Sequence, residues 1–241
     1  MRVSSRRTMT AVGLVLSAAV IGFSANAAEK VAQPAKQVEF FEAIKAGDIA
    51  VKLIPKDAKE ANVIIENKAK QPLEIKLPDA FAGVPVLAQF GGMGGMGGGG
   101  MGGMGMGGGF FSVGPDKVGK IKVTTVCLEH GKQDPNPRIP YEIRPIETFT
   151  QDQRVIEVCK MLGRGELAQN VAQAAAWHLG NGLTWDELAA KDRVKLSNGY
   201  TEKFFSAQEL TVAARVSQEA VRRAGDKKPE SPGEYGSLSR N

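Results

Sequence analysis

Ile121-Lys-Val-Thr-Thr-Val-Cys-Leu-Glu-His-Gly131 opens as a β-branched run and closes in a polar loop. The first half has the composition of a strand, and the charged residues before Gly131 mark its end. Cys127, one of only two cysteines in 241 residues, lies where the texture changes. Working outward, the residues before this stretch read as strands and those well after it read as helices. The fold class expected is therefore α+β: an antiparallel β-sandwich of about six to seven strands, followed by a four-helix C-terminal part packed on it.

On the N-terminal side, Val38 to Ala46 places Phe40, Phe41 and Ile44 on one helical stripe, with Gly47 as a stop. Ile49–Ile54, Asn62–Glu66 and Leu73–Leu77 read as strands, bounded by Pro55, the polar turn 67–72 and Pro78. Val84 to Phe90 reads as a fourth strand. Gly91 to Gly109 holds 14 Gly and 5 Met in 19 residues, with no charge and no β-branched residue. Such a segment has no means of fixing its backbone cheaply, so it is expected as a disordered insertion. Strand character resumes at Phe110-Phe-Ser-Val, which makes the insertion a loop within one sheet. Gly114-Pro-Asp is a turn, and Val118 to Leu128 is the next strand. Glu129 to Pro140, with three prolines, is expected to be extended, and Tyr141 to Ile146 is the last strand.

On the C-terminal side, Thr150 with Gln153, Thr184 with Glu187 and Ser206 with Glu209 have the spacing of capping boxes. The first helix carries Val155, Ile156, Cys159 and Leu162 on one face and ends at Gly163. Glu166 to Leu179 is a second helix, rich in Ala. The last helix carries Leu210, Ala213, Ala214, Val216, Ala220 and Val221 and runs to Ala224. The division expected is a leader over 1–27, a linker over 28–36, the β-sandwich over 37–146, the helical part over 147–224 and a disordered tail over 225–241.

The leader reading rests on a basic start, an apolar run from Ala11 to Ser24 and Ala25-Asn26-Ala27, the small-x-small pattern of a cleavage site. That run is short of the roughly 20 residues that span a bilayer. The expected location is exported, periplasmic or extracellular, with Sec export preferred over the twin-arginine route and no membrane span once the leader is removed. Removal of Arg2, Arg6 and Arg7 leaves 28 basic and 26 acidic residues, a net of +2 in place of the formal +5. Such a balance excludes nucleic acid as an expected partner. Candidate partners are proteins of the cell envelope or outside it.

Few side chains could carry chemistry. An exported chain with two cysteines invites a disulfide between Cys127 and Cys159, and two buried free thiols are the competing reading. Gln173 and Trp177 are four residues apart and share one helical face. No Gly-x-Ser-x-Gly, no phosphate loop and no spaced carboxylate pair is present, so no catalytic residue is assigned and no cofactor is expected. Met93, Met96, Met101, Met104 and Met106 are soft ligands that suit Cu(I), and they make a weak metal candidate. His130 and His178 are too few for zinc and read as a loop-anchoring and a satisfied semi-buried residue.

Two resemblances add to this. Val126-Cys127-Leu128 on a strand, with Gln173-Ala-Ala-Ala-Trp177 on a later helix, resembles the motif pair of bacterial thioester domains. The resemblance implies that the Cys127 thiol and the Gln173 amide condense into an internal thioester shielded by Trp177, the working part of a covalent adhesin. Ala172 stands where that family usually has Thr. More widely, Val-Cys-Leu-Glu-His-Gly-Lys (126–132), Ile-Pro-Tyr-Glu-Ile (139–143) and Ala-Trp-His-Leu (176–179) resemble a family of uncharacterised secreted bacterial proteins, which implies export and no particular activity. The expected function is a structural or binding module of the cell envelope. The covalent adhesin and Cu(I) binding by the Met-Gly loop are the alternatives.

Overall fold

The computed structural model describes residues 34–86, the backbone of 101–102, and residues 109–226. The leader, most of the linker, residues 87–90 of the fourth expected strand and the tail beyond 226 lie outside the described residues. The architecture is α+β, with antiparallel pairing predominant.

Strand β1 (Lys36–Glu39) runs into helix α1 (Phe40–Ala46). Residues 36–39 were expected as linker and helix start. They form a strand because their main chain pairs in parallel with β4 (Leu73–Lys76), which needs no apolar pattern. Helix α1 buries Phe40 and Ala43, while Phe41 and Ile44 pack partly buried against the same core. Gly47, at φ 77°, ends it. Strands β2 (Ile49–Pro55) and β3 (Glu60–Asn67) follow, and β3 alternates buried with half-buried residues along its length. Strand β5 (Phe81–Pro85) begins three residues before the expected start at Val84, and Val86 is already exposed beyond its end.

Met101–Gly102, inside the expected disordered insertion, forms the short strand β6. Backbone pairing needs only N–H and C=O groups, so a side-chain pattern gives no warning of it. Strand β7 (Phe110–Val113) pairs with β4, giving a small sheet β1-β4-β7. The insertion therefore joins strands of two different sheets, not two of one. Strands β8 (Val118–Thr124), β9 (Val126–Cys127) and β10 (Tyr141–Pro145) complete the larger sheet, ordered β8-β3-β2-β10-β5-β6-β9.

That order has a geometric consequence. β8 and β9 stand at opposite ends of the sheet, yet only Thr125 separates them in the chain. The sheet must curl until its two ends meet at that residue. Thr125 is fully buried and satisfied: its N–H donates to Lys59 O at 2.8 Å, its hydroxyl to Ala58 O at 2.9 Å, and its carbonyl accepts from Gln169 Nε2 at 3.0 Å. The expected single strand 118–128 is thus two strands hinged at a residue that bonds outside the ladder. The following segment, expected as extended, instead contains turns, with Lys132 N–H bonded to Glu129 O and Ile139 N–H to Asn136 O.

Two apolar clusters form the core. One joins both sheets and α1 through Phe40, Leu53, Val63, Ile65, Leu73, Ile75, Phe81 and Val123. The other takes in Ala80 and the segment from Val126 and gathers the helices. Helix α2 (Gln153–Gly163) buries Val155, Ile156, Cys159 and Leu162, as its stripe implies. Its N-cap is Asp152, not Thr150: the carboxylate accepts from Arg154 N–H at 2.9 Å, and Thr150 Oγ1 accepts only the cap residue's own N–H. Helix α3 (Gln169–Asn181) starts three residues later than expected, because Gly165 is left-handed at φ 75° and Ala168 is extended. The Thr184–Glu187 capping box opens α4 (Trp185–Ala190), and Ser206 with Glu209 opens α5 (Ala207–Asp226). Val221, expected on the apolar face of α5, is exposed, and Ser217 is buried instead. A hairpin of β11 (Asp192–Lys195) and β12 (Thr201–Lys203), which the sequence did not suggest, lies between α4 and α5.

Candidate functional site

Strand β9 pairs with β6 on one side. On its other side stands Gln173 of α3. Cys127 N–H donates to Gln173 Oε1 at 2.8 Å, and Gln173 Nε2 donates to Cys127 O at 2.7 Å. A strand residue sends its N–H and C=O to the same side, and one carboxamide supplies both a donor and an acceptor there. Gln173, buried with 2% exposure, takes the place of the next strand.

This contact brings together Cys127 and Gln173, as the motif pair implies, but through the Cys127 main chain. The thiol itself donates to Glu129 O at 3.4 Å. Burial pushes the Cys127 thiol above its ordinary pKa, and burial pushes that of Cys159 up to about 12. Both are therefore protonated at neutral pH and poor nucleophiles. Both are free: the expected bridge between Cys127 and Cys159 is not formed. Each thiol packs in the apolar helical core, which suits a thiol as a small hydrophobe.

Trp177, one helical turn beyond Gln173, forms the floor of a pocket. His130, from the loop after β9, meets the indole edge-on at 4.8 Å. Lys191, the residue that ends α4, places its ammonium 5.4 Å from the Trp177 ring centroid and 5.9 Å from that of Phe204. The hairpin is tied down here by Phe204 N–H bonded to Lys191 O at 2.9 Å. Lys191 Nζ lies 3.0 Å from His130 Nε2. Burial first, and the nearby ammonium second, lower the His130 pKa, so the imidazole is neutral and Nε2 accepts. Arg193 covers Phe204 at 5.1 Å while donating to Phe204 O and Glu202.

Together with Glu129, Lys132, Asp134 and Asp192, these side chains enclose a cavity of about 240 Å³ into which Cys127 also faces. A larger cavity of about 460 Å³, between the start of α3 and α5, lacks any such grouping of rings and cations. The Trp177 indole N–H and the Tyr141 hydroxyl are buried and have no hydrogen-bond partner among the described residues.

Of the residues singled out in the sequence, Cys127, Trp177 and His130 line this pocket and Gln173 braces its wall. Cys159 is elsewhere in the core. His178 is satisfied, with Nδ1 2.7 Å from Leu183 O and its ring stacked on Trp185. Met93, Met96, Met104 and Met106 lie outside the described residues, as does the Met101 side chain. Among the described residues no three His, Cys, Asp or Glu side chains group as metal ligands would, and no helix is long and apolar enough to cross a membrane. Lys191, Arg193 and Phe204 were missed; a Lys directly after a capped helix, followed by Arg two positions on, was the only signal. No protein-family model, curated protein or solved structure matches the chain.

Proposed function

We propose that the chain is an exported binding module of the cell envelope, without catalytic activity, and that its ligand site is the pocket framed by His130, Trp177, Lys191 and Phe204. The strands are read as two facing layers, sandwich-like, with four helices packed on them as a rigid support. The observation that carries the reading is the cluster itself: a cation held over two aromatic rings at a small polar cavity, on elements braced by Gln173 and by two capping boxes. Ring faces and one cation at a concave wall are a recognition surface. The Cys127 thiol, raised by burial and bonded to the Glu129 carbonyl, is a poor nucleophile, which supports binding over catalysis. Export, and membership of the secreted family that 126–132 and 176–179 resemble, are parts of the same proposal.

The test is amide exchange on the full chain mixed with the small-molecule fraction of a periplasmic extract. Protection is expected over 129–134 and 191–204. Protection confined to other segments, or none, would sink the assignment of the site, and recovery of the chain uncleaved in the cytoplasm would sink export.

A second reading, the covalent adhesin through Cys127 and Gln173, is favoured by the contact between those two residues. It requires the Gln173 amide to leave the Cys127 main chain and meet the thiol. Intact mass decides it: a thioester is lighter than the sequence by one ammonia. Methylamine adds across it, freeing the Cys127 thiol and leaving an N-methyl amide at Gln173, so that the product is one CH2 heavier than the sequence.

A further inference from the structure

We infer that the pocket takes a small monoanionic organic carboxylate, bound to the Lys191 ammonium with its body against Trp177 and Phe204. This rests on the pocket being the binding site. Three acidic side chains of the segments around Lys191 have other partners. Asp192 pairs with Lys203 at 2.9 Å, Glu202 with Arg193 at 3.3 Å, and the Glu187 carboxylate accepts from Thr184 at the capping box. Lys191 itself makes no ion pair with a carboxylate among the described residues; its partners are an imidazole and two ring faces.

An ammonium has three donors, and His130 Nε2 takes one. Ring faces compensate the charge only in part. A carboxylate is the partner that completes it, through a charge-assisted bond. The Trp177 indole N–H is buried and has no partner among the described residues, so its resonance reports on the ring beside the cavity.

Size and charge narrow the class. At about 240 Å³ the cavity falls below the roughly 300 Å³ at which drug-sized sites begin. Glu129 and Asp134 also line it, and their charge opposes a dianion such as phosphate. The rings favour a flat or apolar body behind the carboxylate. Such a group is found in a free acid and at the C-terminus of a peptide.

The experiment titrates the full chain with benzoate and with benzamide, its neutral counterpart, and follows the Trp177 indole N–H resonance. Benzoate should shift it saturably, and benzamide should bind at least about 10-fold more weakly, the worth of one charged hydrogen bond. Lys191→Met should reduce benzoate to the level of benzamide, and Lys191→Arg should retain the preference. A short peptide that competes when its C-terminus is free and fails when amidated assigns the chain end as source; benzoate binding without peptide competition assigns free acids. Equal binding of benzoate and benzamide overturns the carboxylate. If that binding is lost in Phe204→Ala, the pocket survives as a binding site. Unchanged benzoate affinity in Lys191→Met, or no shift at millimolar benzoate, also overturns the inference, and amide exchange with the extract then decides separately whether the pocket binds anything.

Discussion

Gln173 does two jobs with one carboxamide, and no other side chain of its size can do both. Glu has two acceptors and no donor when ionised, so Gln173→Glu sets a carboxylate against the Cys127 carbonyl in a site with 2% exposure. The variant is expected to lose about 3–5 kcal/mol at neutral pH, the scale of an uncompensated buried charge. The sign of its pH dependence follows. Burial holds the folded-state pKa of the new carboxyl above the unfolded one, so the penalty is full above the folded value and fades as pH falls toward the unfolded value. Protonation also restores the missing donor. Urea unfolding at pH 7 and pH 4 checks this, and an equal deficit at both would mean that the carboxamide donor is unimportant. The relation of Gln173 to Trp177 and to a strand cysteine was legible in the sequence because i,i+4 spacing on a helix is local. The partner atoms were not, because which groups of Cys127 the amide meets depends on how β9 lies against α3.

Among the elements, β2, β3, β4, β7 and β10 were read as strands near their observed bounds, and the bodies of α2 and α5 as helices, because burial or β-rich composition writes itself into those stretches. Strands β1, β6, β11 and β12 were missed for one reason. They are held by main-chain pairing with elements distant in sequence or by charged cross-strand neighbours, and Lys-Gln-Val-Glu, Met-Gly, Asp-Arg-Val-Lys and Thr-Glu-Lys carry no alternation. The hairpin brings Lys191, Arg193 and Phe204 to the pocket, so half of the candidate site was hidden with it. Gly119 in β8 shows a second kind of element-scale constraint. A Cβ there would fall 2.5 Å from Cε1 and Cζ of Phe111, whose ring lies over the glycine. Gly119→Ala must displace that ring from the core it shares with Val113 and Ile121. A loss of about 1–3 kcal/mol is expected, as for overpacking generally. The double variant Gly119→Ala with Phe111→Leu should lose less than the sum of the two single changes. Thermal unfolding of the four proteins gives the comparison, and strict additivity would mean that the two positions do not touch.

Across the whole molecule, the buried residues of the described chain pass between the two apolar clusters at five places: Leu77 to Ala80, Ala80 to Phe81, Val123 to Val126, Leu128 to Tyr141, and Tyr141 to Ile146. Thr125 is the crossing that also closes the large sheet, and its carbonyl is held by Gln169 of α3. The two cores are therefore expected to unfold together, since opening the sheet at Thr125 removes both β9 and the brace on α3. Thr125→Val keeps the shape and deletes the hydroxyl bond to Ala58 O. About 1 kcal/mol should be lost, the net worth of one buried hydrogen bond. Amide exchange locates the loss. Protection of the slowest amides in β3, in the strand core, and in α3, in the helical core, should fall by the same amount, because both report one global opening. A loss confined to α3 would mean that the helices open alone and that the strand body stands without them. Thr125 would then be a local latch, and the pocket it helps to fix would belong to a separately stable half.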